Sequence, residues 1–143
     1  MPDVFTPAER SQVMRQIRSA HTKPEILLRK ALFSLGYRYR CHVATLPGKP
    51  DIVLTRFKAA IQVRGCFWHG HNCKDGHLPH SRREYWVPKL ENNTKRDRRN
   101  DRLLRQLGWR VITVWECQLS SKAKLERQVR RICSLLDKKH TAT

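Results

Sequence analysis

The sequence predicts a single α/β sandwich domain, and three observations support this fold class. The hydrophobic pattern gives the order helix, antiparallel strands, helix, strand, helix, without an internal repeat or a linker. The 143 residues suffice for one domain with a hydrophobic core but not for two. A turn rich in proline and glycine at residues 46–50 precedes two short apolar runs, which is typical of a sheet that begins with a hairpin.

Capping residues predict the first two helices. A capping box at residues 6–9, with proline at the first helical position, opens a helix to about Ala20. A second box at residues 22–25 opens a more amphipathic helix, which Gly36 ends. Residues 1–20 are therefore expected to be a separate N-terminal helix of a single 1–143 domain.

The strands and the later helices follow from periodicity. Residues 51–54 and 59–63 predict the hairpin, residues 37–43 an earlier strand, and residues 109–115 a buried strand. A very basic helix is predicted from Lys89 to Leu107, where Gly108 stops it. The last helix carries Leu125, Val129, Ile132, Cys133 and Leu136 on one face, and residues 138–143 are expected to be a flexible tail.

Composition limits the partner. Lys and Arg number 30 against 12 Asp and Glu, which gives a formal net charge of +18 and a pI near 10.6. A folded domain tolerates such self-repulsion best when a polyanion neutralises it, so a nucleic acid is expected. A basic surface without a partner and an anionic membrane are the alternatives, but no long apolar run supports membrane binding. The N-terminal residues lack a signal-peptide pattern, so a cytoplasmic protein is expected, and five cysteines favour metal ligation over disulfides.

One carboxylate stands in a position suited to catalysis. Asp51 follows Pro50 at the start of a strand, and the hairpin would bring it to the same face as Gln62 and Arg64. This is the Pro-Asp … Asp/Glu-x-Lys layout of metal-dependent nucleases, in which an acid holds Mg²⁺ and a cation stabilises charge on the phosphate. Gln62 stands where an acid is usual. The alternative for Asp51 is a turn aspartate at the beginning of a strand.

A second group of residues has the composition of a zinc site. Cys66, His71, Cys73 and Cys117 predict a closed Cys₃His site, in which four protein ligands make the ion structural. His77 and His80 are competing ligands, and buried cysteines without metal are the alternative. Cys41 and Cys133 are interpreted as ordinary core or surface residues.

Between these two groups lie a histidine and several aromatic residues. His69 is suited to act as a base that activates water at phosphorus, or it is a bystander. Phe67, Trp68, Tyr85 and Trp86 are predicted to be exposed beside basic residues, where rings can act as wedges between base pairs. The alternative is a satellite core beneath the loop.

Four segments resemble one family of bacterial enzymes, the very short patch repair (Vsr) DNA mismatch endonucleases. These segments are LPGKPD at residues 46–51, GCFWHGHNC at 65–73, RDRR at 96–99 and LGWRVITVWEC at 107–117. The resemblance implies a restriction-endonuclease-like fold of the PD-(D/E)xK class. It also implies an enzyme that nicks double-stranded DNA beside T:G mispairs, which arise when 5-methylcytosine deaminates, and so starts their repair.

The resemblance also implies roles for individual residues. Asp51 would bind Mg²⁺ together with the main-chain carbonyl of Val63, and His69 would be the base. Glu25 would support metal-bound waters, although its place in the capping box explains it almost as well. Cys66, His71, Cys73 and Cys117 match structural Zn²⁺ ligands. Members of the family usually carry an acid or a histidine where this chain has Arg64, which leaves Arg64 to act on the phosphate charge.

For DNA recognition, the resemblance implies a wedge and two sets of contacts. Phe67, Trp68 and Trp86 match the wedge that opens the mispair. Lys89 and Asn93 match residues that contact base edges, and Met14 and Ile17 match contacts from the N-terminal helix. A monomer is expected, and mismatch-repair proteins are further candidate partners. A restriction-like or structure-specific nickase and a non-catalytic zinc-containing DNA-binding module remain the alternatives.

Overall fold

The structure is a computed structural model that describes residues 22–69, 71, 73 and 82–138. Several predicted features lie outside these residues. They are the N-terminal helix with Met14 and Ile17, the competing ligands His77 and His80, and the tail beyond Lys138.

Within the described residues the predicted α/β sandwich is confirmed as a four-stranded sheet with three α-helices. In chain order the elements are α1 (Lys23–Ser34), β1 (Arg40–Cys41), β2 (Ile52–Leu54), β3 (Ala59–Arg64), α2 (Arg83–Gln106), β4 (Arg110–Trp115) and α3 (Lys122–Asp137). Two short 3-10 helices, Thr55–Phe57 and Glu116–Leu119, follow β2 and β4.

The sheet has the order β1-β2-β3-β4, and its last pair is parallel. β2 and β3 form the predicted antiparallel hairpin, with Ile52 opposite Ile61. β3 and β4 can run in parallel because α2 carries the chain back between them. Their register places Arg64 beside Trp115, so both strands end at the same edge of the sheet.

The main core lies on one face of this sheet, beneath α1 and α3. Ile61 of β3 and Val114 of β4 are fully buried there, and their alternate neighbours point to the opposite face. The helices contribute Leu28, Leu32, Val129, Ile132 and Leu136 to the same cluster. The opposite face carries Arg64 and Thr113 and contacts α2. Helices therefore cover both faces of the sheet.

Glycine and serine residues define the helix ends. Gly36 and Gly108 have φ angles of 96° and 91°, in the left-handed region that glycine tolerates, and they follow α1 and α2 as predicted. The hydroxyl of Ser121 accepts a hydrogen bond from the amide of Lys124 and caps α3. Thr22, in contrast, makes no side-chain capping hydrogen bond at the start of α1.

Two element boundaries differ from the prediction. α2 begins at Arg83, six residues before the predicted Lys89, and continues through Pro88. Proline has no N–H to donate to the preceding helical turn, so a proline inside a helix disfavours its continuation. Burial of Trp86 and Leu90 on either side of Pro88 stabilises the six residues by which the helix is extended. The strand predicted at residues 37–43 is reduced to Arg40–Cys41.

α2 is long enough to cross a bilayer but far too polar. None of the helices in the described part of the chain has the length and hydrophobicity that a membrane span requires.

Candidate active site and metal-binding loop

The candidate site lies at the edge where β3 and β4 end. Residues that follow β3 therefore meet residues that follow β4, although the two segments are far apart in sequence. β2 runs antiparallel to β3, so it begins at this same edge, directly after Asp51. The sheet topology thus brings the PD segment, the loop at residues 65–73 and the 3-10 helix Glu116–Leu119 together.

Asp51 is fixed by the backbone of the neighbouring strand. Its Oδ2 accepts a hydrogen bond of 2.7 Å from the amide of Val63, and its Oδ1 lies 3.6 Å from Nδ1 of His42. Burial raises the pKa of Asp51 to about 6, against the lowering effect of the Val63 amide, and the nearby charge of Glu25 raises it further. A cation at this place would offset the cost of the ionised carboxylate.

Glu25 lies beside Asp51 because the first turn of α1 reaches the same edge. Its side chain is only 1% exposed, and its Oε2 accepts hydrogen bonds of 3.0 Å from the guanidinium of Arg29 and from Nε2 of His42. Ligand atoms of Glu25, His42 and Asp51 all lie within 4.8 Å of one another. Two carboxylates and an imidazole suit a divalent cation, so this donor set fits the metal that a metal-dependent nuclease requires.

His69 lies in the loop and is oriented by α2. Its Nδ1 is 2.5 Å from Oδ2 of Asp97, and its amide donates to the carbonyl of Gly65. A carboxylate on one ring nitrogen fixes the ring orientation and leaves the other nitrogen to face a substrate. His69 also lies near enough to Asp51 to lower the pKa of that carboxyl.

Arg64 is held by contacts with α2 and β4. Its guanidinium donates to Oδ1 of Asp101 at 2.7 Å, approaches Thr113 Oγ1 at 3.5 Å, and has Nε 3.8 Å from Oδ2 of Asp97. Ile52 pairs with Ile61, which is the register that the predicted convergence of Asp51, Gln62 and Arg64 requires. The ion pairs of Arg64 itself are with α2. The guanidinium is a permanent cation, so the two carboxylates of α2 stabilise it, whereas a neighbouring metal ion would repel it. Gln62 is buried, with 7% of its surface exposed.

The sequence analysis missed three residues of this site, His42, Asp97 and Asp101. Asp97 and Asp101 were hidden within a basic helix, but their spacing of four places them on one helix face and could have indicated a shared partner. His42 was hidden in the segment predicted as a strand. No local pattern marks it, because its neighbours Glu25 and Asp51 come from other elements.

The four predicted zinc ligands come together. The ligand atoms of Cys66, His71, Cys73 and Cys117 lie within 4.8 Å of one another, with Sγ of Cys117 3.6 Å from Nδ1 of His71. The amide of His71 donates to the carbonyl of Cys66, and the imidazole stacks on Trp115 at 4.1 Å between ring centroids. Burial raises the pKa of the Cys66 thiol. Three sulfurs and one imidazole nitrogen fit a tetrahedral metal.

The aromatic residues differ from the prediction. Phe67, Trp68 and Trp86 are buried, with 3%, 6% and 0% of their surface exposed, and pack edge to face as a satellite core with Leu90. The expectation of exposed rings was wrong for these three because each ring covers the other two. Tyr85, 39% exposed, is at the surface as predicted.

Two candidate DNA contacts lie against this satellite core. The ammonium of Lys89 lies 5.3 Å from the centroid of Trp68 and 5.5 Å from that of Tyr85, a cation–π arrangement. The side-chain Nδ2 of Asn93 donates a hydrogen bond of 3.0 Å to the main-chain carbonyl oxygen of Trp68. In this conformation both side chains hold the loop against α2.

The surface of α2 is strongly basic. Seven basic residues of this helix are exposed, against two exposed acidic ones. The basic residues are Arg83, Lys95, Arg96, Arg98, Arg99, Arg102 and Arg105. Such a row of cations suits a phosphate backbone, and α2 also supplies the partners of His69 and Arg64.

Comparison with known proteins gives one consistent result. The model of the family described as DNA mismatch endonuclease Vsr matches residues 2–75. The chain is 47% identical over 136 residues to the Type II nicking enzyme V.NmeAIP of Neisseria meningitidis, covering 92% of this chain and 97% of that relative. It is 48% identical over 132 residues to the Type II nicking enzyme V.XorIIP of Xanthomonas oryzae, with the same coverage.

A third relative carries the family's own name. The DNA mismatch endonuclease Vsr of Escherichia coli is 42% identical over 125 residues, which cover 87% of this chain and 80% of that relative. The family model and three relatives well above 30% identity agree over most of the sequence, and the resemblance noted in the sequence is thereby confirmed. The chain belongs to the Vsr family of DNA endonucleases.

Proposed function

We propose that this protein nicks double-stranded DNA beside T:G mispairs, with Mg²⁺ held at Asp51. The observation that carries the proposal is the position of Asp51, a partly buried carboxylate that shares one sheet edge with Glu25 and His69. Membership in the Vsr family supports a DNA endonuclease, and the name of the Escherichia coli relative supports a mismatch substrate. The protein is proposed to act on DNA as a monomer.

Asp51, the main-chain carbonyl of Val63 and, through water, Glu25 would hold the Mg²⁺. When bound, the ion would neutralise the charge that grows on the phosphate oxygens. The amide of Val63 fixes the Asp51 carboxylate, so this ligand is already oriented before the ion arrives.

His69 would take a proton from the attacking water. Its Nδ1 is committed to Asp97, which leaves Nε2 free to accept that proton. Arg64, permanently charged, lies between the carboxylates of Asp97 and Asp101 and holds Asp97 in place. In this proposal Arg64 acts through Asp97 and not on the phosphate directly.

Recognition of the mispair would use the satellite core. Phe67, Trp68 and Trp86 would enter the base stack as a wedge, and Lys89 and Asn93 would contact base edges. Because the rings are buried together, the wedge must open before it inserts. A T:G mispair is easier to open than a matched pair, since its stacking and pairing are already weakened. Met14 and Ile17 are proposed as further contacts, and mismatch-repair proteins as further partners.

The Cys₃His cluster would hold Zn²⁺ as a structural ion. Four protein ligands leave no open coordination position for water or substrate. The ion would tie the loop that carries His69 to the segment after β4, and so fix the base relative to Asp51.

A nicking assay tests the proposal. The protein is given matched duplexes that differ only in one T:G or C:G pair, with and without Mg²⁺. Omission of Mg²⁺ is preferable to a chelator, which would also remove a structural zinc. We expect one nick beside the mispair, dependent on Mg²⁺ and absent in Asp51→Ala, which should still bind DNA.

Other outcomes identify the alternatives. Equal nicking of T:G and C:G duplexes would indicate a restriction-like nickase. Nicking only at bulges or junctions would indicate a structure-specific enzyme. Tight binding without any nicking would indicate a DNA-binding module, for which the uncharged Gln62 is the best argument.

A further inference from the structure

His42 has a position that its sequence environment does not explain. It follows β1 with a φ angle of 50°, in the left-handed region that residues other than glycine and asparagine rarely occupy. Its amide donates to the carbonyl of Asp51, so the turn is anchored to the PD segment. This backbone conformation directs the imidazole into the space between Glu25 and Asp51.

Both ring nitrogens of His42 face carboxylates, at unequal distances. Nε2 lies 3.0 Å from Oε2 of Glu25, which is a hydrogen bond, whereas Nδ1 lies 3.6 Å from Oδ1 of Asp51, which is too long for one. An imidazole that donates one N–H to a carboxylate typically presents the other nitrogen to a metal. Two atoms bound to one cation at about 2.1 Å are about 3.0 to 4.2 Å apart, so the gap beside Asp51 fits a shared ion.

The other described side chains nearby are less suited to be this ligand, and one ring nitrogen of His69 is already committed to Asp97. Gln62 is uncharged, and Arg64 is a permanent cation paired with α2. Arg29 contacts the same oxygen of Glu25 that faces His42, so it orients Glu25 toward the imidazole. One ring nitrogen of His42 thus lies where it can share an ion with Asp51, while the other is hydrogen-bonded to Glu25.

We propose that His42 is a direct nitrogen ligand of the catalytic divalent ion, together with Asp51. The inference rests on the proposed function, since it assumes an ion at Asp51. A nitrogen ligand favours Mn²⁺ over Mg²⁺, because imidazole is a softer donor than carboxylate or water. His42 therefore sets metal preference as well as metal affinity.

The test uses Mn²⁺ as the probe and the full chain with its cysteine cluster loaded with zinc. Electron spin echo envelope modulation of bound Mn²⁺ detects ¹⁴N only when a nitrogen is directly coordinated or nearly so. We expect ¹⁴N modulation in the parent protein and in the control His69→Gln, and its loss in His42→Asn. Asparagine tolerates the left-handed backbone and so preserves the turn.

Calorimetric titration supplies the second readout. His42→Asn should weaken Mn²⁺ binding by about tenfold or more, with a smaller loss for Mg²⁺. If His42→Asn does not fold, the parent labelled with ¹⁵N-histidine and the His69→Gln protein decide the question. A histidine coupling that persists without His69 supports His42, and its absence contradicts the proposal.

The two proposals fail in different ways. If Asp51→Asn leaves Mn²⁺ binding unchanged, the ion is not at Asp51 and the proposed function loses its metal site. If Asp51→Asn abolishes binding but ¹⁴N modulation survives in His42→Asn, or is missing from the parent, then the role of His42 alone is overturned.

Discussion

Asp51 has a carboxyl group whose charge the fold itself disfavours. Its pKa is raised from 3.8 to about 6, chiefly by burial. A raised carboxyl pKa means that the folded protein holds this proton more tightly than the unfolded chain does. The contribution of this residue to stability is therefore complete below pH 3.8 and is lost as the pH rises through about 6.

Because the raised pKa shows that the ionised form of Asp51 is unfavourable in the folded protein, a prediction follows for the protein without Mg²⁺. Asp51→Asn removes the charge and keeps an oxygen for the Val63 amide, so it should raise the free energy of unfolding by about 1 to 3 kcal/mol at pH 7.5. The gain should shrink at pH 5 and vanish near the ordinary pKa of aspartate. Urea unfolding at several pH values measures this gain in the free energy of unfolding. The substitution Glu126→Gln, at an exposed carboxylate, is the control. An Asn variant no more stable than the parent at pH 7.5 would contradict the electrostatic account.

Asp97 is a positioning residue, because it would act through its contact with His69. Asp97→Asn can present its amide N–H to the imidazole and so favour the wrong tautomer. We expect kcat for nicking to fall about 100-fold or more, while KM and DNA affinity stay close to those of the parent. Single-turnover kinetics separate these terms, with the exposed Glu91→Gln on the same helix as control. A loss confined to DNA affinity would make Asp97 a structural residue.

The catalytic residues were predictable from sequence only where a motif marks them. Asp51 follows the PD pattern and His69 lies in a distinctive loop, so both could be named in advance. His42 and Asp97 depend on tertiary contacts, because their partners Glu25 and His69 lie in other elements. The pairing of Arg64 with the carboxylates of α2 likewise depends on tertiary contacts.

At the scale of elements, the loop at residues 65–73 depends on the cysteine cluster. Its described residues, which include His69, form no helix or strand, so a bound ion would add to the contacts that Trp68 and His69 make with α2. Cys117→Ala should lower zinc content and should reduce stability by several kcal/mol, since the ion joins two distant segments. Elemental analysis and thermal unfolding measure both effects, with Cys133→Ala as the matched control outside the cluster. Equal zinc content in the Cys117→Ala and Cys133→Ala proteins would remove Cys117 from the site.

Local signals explain which elements could be predicted. The hairpin, α1, β4 and α3 each have a turn, a cap or a continuous periodicity within their own residues. The start of α2 was missed because Pro88 indicates a boundary, whereas burial of Trp86 and Leu90 decides the outcome. The burial of Phe67 and Trp68 could not be predicted either, because the rings that cover them include one from another element.

At the scale of the whole molecule, charge and stacking should serve different purposes. The exposed cations of α2 carry part of the net charge of +18, and phosphate contacts of this kind provide affinity without sequence information. The satellite core of Phe67, Trp68 and Trp86 is uncharged and would act only where base pairs can be opened. Affinity and discrimination are therefore expected to be separable by mutation.

The final prediction separates them in one experiment. Arg98 and Arg102 are exposed and one helical turn apart, so both can reach the same phosphate backbone. The double variant Arg98→Ala/Arg102→Ala should reduce the slope of log affinity against log salt by about 2, equally on T:G and C:G duplexes. Trp68→Ala should leave that slope unchanged but reduce the preference for T:G. Because Trp68 is also a core residue, its variant is measured at low temperature, after circular dichroism shows that it is folded. If Trp68→Ala weakens binding to both duplexes equally, the ring only packs the loop against α2, and the wedge must be sought elsewhere.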